Sequence, residues 1–106
     1  VIFTTEFGRT PFAQSAGNVV GTGRDHNKYA FSCWLAGAGC KPGTAFGATD
    51  DIGWKVAEHP VTWPDFHATV LHLLGFHFDR FSVKVQGLDG KLTGVNPAKV
   101  IRELIA

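Results

Sequence analysis

Residues Val1-Ile-Phe-Thr-Thr-Glu-Phe-Gly-Arg9 decide the fold that this sequence predicts. The run before Glu6 is entirely β-branched or aromatic, which is typical of a central strand that is buried on both faces of a parallel sheet. Gly8 and Arg9 follow the end of this run. In α/β enzymes, the carboxyl ends of parallel strands carry the ligand-binding groups. The stretch therefore predicts an α/β fold with Glu6 and Arg9 at the edge where a site forms.

Further strands are indicated at three places downstream. Residues 10–23 are small and polar without a sustained period, so we predict a loop there. Residues 31–36 are predicted as a second strand, and residues 44–49 as a strand that returns beside it. A short strand pair, residues 81–85 with 91–93, is expected around a turn at residues 87–90.

Two helices are predicted. The first begins at a Thr62 cap, tolerates Pro64 in its first turn, runs to Leu74 and stops at Gly75. Its expected buried face follows helical spacing and consists of Phe66, Val70, Leu73 and Leu74. The second is expected after an Asn96 cap, with an apolar stripe of Val100, Ile101, Leu104 and Ile105.

Length and composition restrict the class of protein. A chain of 106 residues is long enough for one domain and too short for two. With 44% hydrophobic residues, 18% charged residues and a net charge of +1, it has the composition of a globular protein and lacks the basic surplus of a nucleic-acid binder. No apolar run approaches the roughly 20 residues that a membrane span needs.

The start of the sequence predicts that a partner segment is missing. The chain has no Met, and its first residue already lies inside the strand-like run. A central parallel strand needs neighbouring strands and helices on both sides. We therefore expect residues 1–106 to be the carboxyl-terminal fragment of a single domain whose amino-terminal half supplies the other strands.

Asp25-His26 is the best candidate for metal binding, at the end of the Gly-rich stretch Gly21-Thr-Gly-Arg-Asp-His-Asn27. Carboxylate and neutral imidazole are usual ligands of zinc, manganese and iron. The alternative is structural, with Asp25 capping a turn and His26 bonded to a backbone carbonyl. Glu6 also has two open roles: a metal ligand or general base, or an ion-pair partner of Arg9.

Arg9 and Arg24 are candidates for binding an anion. Each follows a glycine, which lets a bound group approach closely, and a guanidinium matches sulfate, phosphate or carboxylate. The alternative is that both are solvated surface arginines.

Several short motifs in order carry a family resemblance: Thr5-Glu-Phe-Gly-Arg-Thr-Pro11, Gly23-Arg-Asp-His26, Trp34-Leu-Ala-Gly37, Gly47-Ala-Thr-Asp50 and the helix that ends at Gly75. Together they resemble a bacterial sulfatase-like family of unassigned activity in the alkaline-phosphatase superfamily. The resemblance implies the carboxyl-terminal part of a sulfatase-like α/β sheet with flanking helices. It also implies export to the periplasm or the extracellular space. Where superfamily members end the first strand in Asp-His, this sequence has Glu6-Phe7, which removes one imidazole ligand.

The function implied by this resemblance is metal-assisted hydrolysis of a sulfate or phosphate ester of a small molecule or glycan. Glu6, Asp25 and His26 would hold a divalent cation such as Zn, Mn, Ca or Mg, and Arg9 and Arg24 would hold the ester's oxyanion. The nucleophile would belong to the missing half, so the fragment alone is expected to be inactive. The alternative is a non-catalytic protein that binds a sulfated glycan or a protein partner, which the loss of Asp-His favours.

Overall fold

The computed structural model describes residues 1–106, which form two compact units. Unit 1 comprises Val1–Ala36 and Gly47–Pro60, and unit 2 comprises Gly37–Phe46 and Val61–Ala106. The fold is small and mixed α/β, with one α-helix and four two-stranded antiparallel sheets. The α/β class is confirmed at this level. The expected sulfatase-like sheet has no support, because no two strands pair in parallel.

Unit 1 contains three strand pairs. The first joins β1 (Ile2–Phe3) to β4 (Trp34–Leu35), and the second joins β2 (Gly8–Ala16) to β3 (Val19–Asn27). The third joins β5 (Ala48–Thr49) to β6 (Val56–Glu58). Strands therefore occur in both predicted segments, 31–36 and 44–49, but the two do not pair with each other.

The prediction of a central parallel strand at the start of the chain is wrong. Only Ile2 and Phe3 are in a strand, and they pair antiparallel with Leu35 and Trp34. Ile2 is 50% exposed and Phe3 is 51% exposed, so neither is buried on both faces as a central strand would be. An apolar run indicates a preference for strand, but it does not indicate the direction or the number of the strands that pair with it.

The prediction of a loop over residues 10–23 is also wrong, because β2 and β3 form a long hairpin there. Gly17, with a φ of 62°, adopts the left-handed conformation at the tight turn between the strands. The register shifts between Arg9 and Ala13 and again between Ala13 and Ser15. Pro11 lacks the N–H that a regular ladder uses, so an irregularity beside it has a direct cause. These interruptions hide the alternation by which a strand is recognised.

The helix prediction in unit 2 is confirmed, with α1 at Trp63–Leu73. The Thr62 side chain accepts the Asp65 backbone N–H at 3.2 Å, and Gly75 has a φ of 83° just beyond the end. The expected buried face is only partly correct, because Val70 and Leu73 are half-buried and Leu74 is exposed. The residues of α1 that are buried are Asp65, Phe66, Ala68, Thr69 and Leu71.

The predicted second helix is wrong, because the chain reaches only a short 3-10 turn at Arg102–Leu104. The Lys99 and Ile101 backbone N–H groups bond to the side chains of Asp65 and Thr69 on α1, at 2.9 and 3.0 Å. Backbone donors engaged in this way cannot build a helical ladder. Ile101 is buried by this packing, with 4% of its surface exposed.

The remaining strand pair of unit 2 confirms the hairpin predicted near residues 81–93. Its strands are β7 (Val83–Val85) and β8 (Leu88–Gly90). The turn falls at Gln86 and Gly87, whose φ angles of 52° and 84° suit a tight hairpin turn. The second strand therefore begins three residues earlier than the predicted 91–93. Neither helical segment of the chain has the length and apolar character needed to cross a bilayer.

Candidate functional site

One face of the β2–β3 hairpin carries three of the predicted site residues. Arg9 of β2 lies directly opposite His26 of β3. Arg24 precedes His26 by two positions in the same strand, so strand alternation puts both side chains on the same face. We name Arg9, Arg24 and His26 the basic face. All three residues are exposed.

The Arg9 side chain is held by contacts within this hairpin. Its Nη1 donates to the Arg24 carbonyl at 3.0 Å, and its guanidinium carbon lies 5.7 Å from the centre of the Phe7 ring. The Phe7 ring stacks on the His26 ring, with centroids 3.8 Å apart and an interplanar angle of 22°. Phe7 therefore supports both Arg9 and His26, a role that sequence reasoning missed.

The carboxylates near the basic face do not neutralise it. The possible ion pair between Glu6 and Arg9 does not form, and the ion pair between His77 and Asp79 lies in unit 2. The Asp25 carboxylate accepts the His26 backbone N–H at 2.8 Å, a local bond like the structural alternative for this residue. Asp25 lies between Arg24 and His26 in β3, so its side chain projects from the other face of the strand.

The structure groups no three His, Cys, Asp or Glu side chains in a way that could hold a metal ion. Asp25 is engaged with its neighbour's backbone, and one face of the His26 ring is covered by Phe7. The structure does not bring Glu6, Asp25 and His26 together as a ligand cluster. This metal set stays a prediction from the sequence.

A buried amide anchors the end of the hairpin that carries the basic face. Asn27 is 1% exposed, and its Nδ2 donates to the carbonyls of Gly53 and Trp54 at 3.3 and 3.0 Å. Its Oδ1 accepts the Tyr29 backbone N–H at 2.9 Å. Every hydrogen-bonding atom of this side chain therefore has a partner, as burial requires. Asn27 fixes β3 to the segment around Trp54.

The backbone also packs closely where β2 begins. A Cβ on Gly8 would lie 2.1 Å from the Ala30 carbonyl oxygen, so a larger residue has no room there. Because Gly8 precedes Arg9, this close approach helps to fix the backbone from which the Arg9 side chain extends. The glycine beside the arginine was predicted to allow a ligand to approach, whereas here it allows the backbone of unit 1 to approach.

Fold and site together define a small mixed α/β protein with an exposed basic hairpin face. A family model for a protein of unknown function, DUF1501, matches residues 1–105, and the chain belongs to that family. The expected membership of a sulfatase-like family in the alkaline-phosphatase superfamily is therefore wrong, since no family of either kind matches. No curated protein and no solved structure matches the chain.

Proposed function

We propose that the basic face binds the sulfate or phosphate group of a small-molecule or glycan ester. The observation that carries this proposal is the state of Arg9, whose guanidinium is fixed by the Arg24 carbonyl and the Phe7 ring and has no carboxylate partner. A guanidinium offers its N–H donors as a planar fork that fits two oxygens of such a group. With Nη1 bonded to Arg24, the donors on Nη2 and Nε remain for a ligand.

The contacts that hold Arg9 lower the entropic cost of binding a ligand. An exposed arginine loses side-chain freedom when it grips a ligand, and Arg9 has already lost part of that freedom in the unbound hairpin. Arg24 adds a second positive charge, roughly 7 Å along β3 from His26 by strand geometry. The basic face can therefore contact one anionic group from two sides or two neighbouring groups on a larger ester.

Hydrolysis of the bound ester is a second proposal, favoured by the position of Glu6. This exposed residue lies just before β2 and precedes Phe7, whose ring is stacked on His26, so a carboxylate and an imidazole both adjoin Phe7. A carboxylate can accept a proton from an attacking water, and an imidazole can donate one to a leaving group. Arg9 and Arg24 would stabilise the negative charge of the transition state.

Binding is tested by titrating the protein with inorganic phosphate and with sulfate while following the backbone amide signals of β2 and β3 by NMR. We expect Arg9→Gln to weaken binding about fivefold or more, because a charge-assisted hydrogen bond is lost. Arg80→Gln, which removes an exposed arginine from unit 2, is the matched control and should change nothing. Unchanged affinity in both Arg9→Gln and Arg24→Gln would overturn the proposal.

Hydrolysis needs its own assay. Aryl sulfate and aryl phosphate esters are incubated with the protein, with and without added Zn, Mn, Ca or Mg, and release of the phenol is measured. The expected result is turnover that Glu6→Gln abolishes while phosphate still binds. Binding without turnover under every condition would leave the binding proposal standing and remove the hydrolytic one.

A further inference from the structure

We propose that a second surface of unit 1 binds a small planar aromatic anion. This surface, the aromatic platform, consists of Phe12, Tyr29 and Trp54. The centre of the Trp54 ring lies 5.4 Å from that of Phe12 and 5.6 Å from that of Tyr29, so the three rings form one continuous cluster. Phe12 is 55% exposed and Tyr29 is 48% exposed, which leaves aromatic surface open for a ligand.

The backbones of two of the three platform residues are fixed before any ligand arrives. The Trp54 backbone N–H donates to Asp50 Oδ1 at 2.6 Å, and the Trp54 carbonyl accepts from Asn27 Nδ2 at 3.0 Å. The same Asn27 side chain accepts the Tyr29 N–H at 2.9 Å. One buried amide therefore sets the positions of two of the three aromatic residues. A rigid aromatic surface binds at low cost in conformational entropy.

Two lysines give the platform its charge preference. Lys28 Nζ lies 5.1 Å and Lys55 Nζ 5.8 Å from the centre of the Tyr29 ring, within the range of cation–π contact. Both lysines are exposed, and neither forms an ion pair with a carboxylate. The Asp50 carboxylate is engaged by the backbone N–H groups of Trp54 and Lys55 at 2.6 and 3.2 Å, so the two ammonium groups beside Tyr29 favour a ligand with negative charge.

The aromatic platform and the basic face are separate sites. His26 and Asn27 are consecutive in β3, so their side chains leave opposite faces of the strand. His26 contributes to the basic face, whereas Asn27 holds the Trp54 backbone. The inference therefore goes beyond the proposed function and does not depend on it.

The chemistry of the surface specifies the ligand. A flat ring can stack on the exposed face of Phe12, as nucleobases do on aromatic side chains. In this proposal, a sulfonate, phosphate or sulfate on that ring pairs with the ammonium groups of Lys28 and Lys55, which lie over the Tyr29 ring of the same cluster. A ring without a charge would make only the stacking contact, and an anion without a ring would contact only the ammonium groups.

The test compares three probes that cannot be hydrolysed: benzenesulfonate, methanesulfonate and benzyl alcohol. Each is titrated into the full 15N-labelled chain while the Tyr29 and Trp54 backbone amides and the Trp54 indole N–H are followed by NMR. Benzenesulfonate should bind at least about fivefold more tightly than either other probe, because only it uses both ring and charge. Its affinity should also fall as salt is raised, since exposed charges are screened.

Substitutions show which residues are responsible for benzenesulfonate binding. Phe12→Ala should weaken benzenesulfonate binding at least about fivefold by removing the stacking surface. Combined Lys28→Gln and Lys55→Gln should weaken it by a similar factor while leaving benzyl alcohol unchanged. Lys84→Gln in β7 of unit 2 is the matched control. The lysines are exposed, so their removal does not threaten folding, which an unchanged amide spectrum verifies.

Three results would overturn the proposal: equal binding of benzyl alcohol and benzenesulfonate, equal binding of methanesulfonate and benzenesulfonate, or full affinity in the double lysine variant. Arg9→Gln keeps the two sites distinguishable. It should weaken the responses on the basic face about fivefold or more and leave the Tyr29 and Trp54 titration unchanged.

Discussion

Gly21 and Gly23 lie two positions apart in β3 but have different surroundings. A Cβ on Gly21 would lie 2.3 Å from the Gln14 carbonyl oxygen, whereas one on Gly23 would meet nothing within 4 Å. Neither residue has the left-handed φ that would itself require glycine. Gly21 is therefore needed for the close approach of the two strands, and Gly23 is not.

Alanine substitution at the two positions should separate these roles. Gly21→Ala should lower the free energy of unfolding by about 1–3 kcal/mol, because the methyl group forces a backbone carbonyl to move. Gly23→Ala should stay within about 0.5 kcal/mol or be slightly stabilising, because it only reduces the freedom of the unfolded chain. Thermal denaturation of the two variants measures the difference. Equal losses would show that the hairpin does not pack as described.

Candidate site residues can be singled out from the sequence where their chemistry is local. Arg9 and Arg24 are candidates because each follows a glycine, and His26 is a candidate because it follows Asp25. Asn27 was missed, since its partners Gly53 and Trp54 are 26 and 27 positions away and no short motif links them. The contact of Phe7 with His26 was missed for the same reason.

At the level of elements, prediction succeeded where the signals are local. The cap at Thr62, Pro64 in the first turn and Gly75 beyond the end all lie within or beside α1, and the helix forms there. The second helix failed because Lys99 and Ile101 donate to side chains of α1, a tertiary preference that outweighs local propensity. The β2–β3 hairpin was missed because its register irregularities break the alternating pattern.

The hydrogen bond from the Lys99 backbone N–H to the Asp65 carboxylate leads to a prediction of how stability depends on pH. Desolvation tends to raise the pKa of the Asp65 carboxyl, but hydrogen bonds from the Lys99 backbone and from Thr62, with the Lys99 charge, outweigh it and lower the pKa. A pKa below the unfolded value of about 3.9 means that ionised Asp65 stabilises the fold above that pH. This contribution is lost as the pH falls through the lower, folded-state pKa.

Asp65→Asn keeps an oxygen that can accept the Lys99 N–H but removes the charge. We expect it to lower stability by about 1 kcal/mol at pH 7, and we expect the difference from the unmodified protein to shrink below about pH 4. Urea denaturation from pH 3 to pH 7 measures this dependence. Asp89→Asn, at an exposed position in β8, is the control and should show no such loss. A difference that does not vary with pH would contradict the assigned role of the charge.

Across the whole molecule, the two units differ in how much apolar surface they bury. Phe66, Ala68, Leu71 and Ile101 of unit 2 are buried, whereas Ala30 is the only buried apolar residue of unit 1. Burial of one large apolar side chain contributes about 1.5–3 kcal/mol, and an alanine contributes much less. Unit 1 instead depends on backbone pairing and on the buried amide of Asn27. The candidate sites thus lie on the unit with the smaller apolar core.

This difference predicts unequal resistance to local opening. Backbone amides of α1 should exchange with deuterium on the order of a hundredfold more slowly than those of β2 and β3, because opening α1 exposes Phe66, Leu71 and Ile101. Hydrogen exchange followed by NMR under native conditions makes the comparison within one sample. Greater protection in the hairpin than in α1 would contradict it. A hairpin that opens easily when empty should gain protection on binding phosphate, since a ligand that binds the folded form stabilises it.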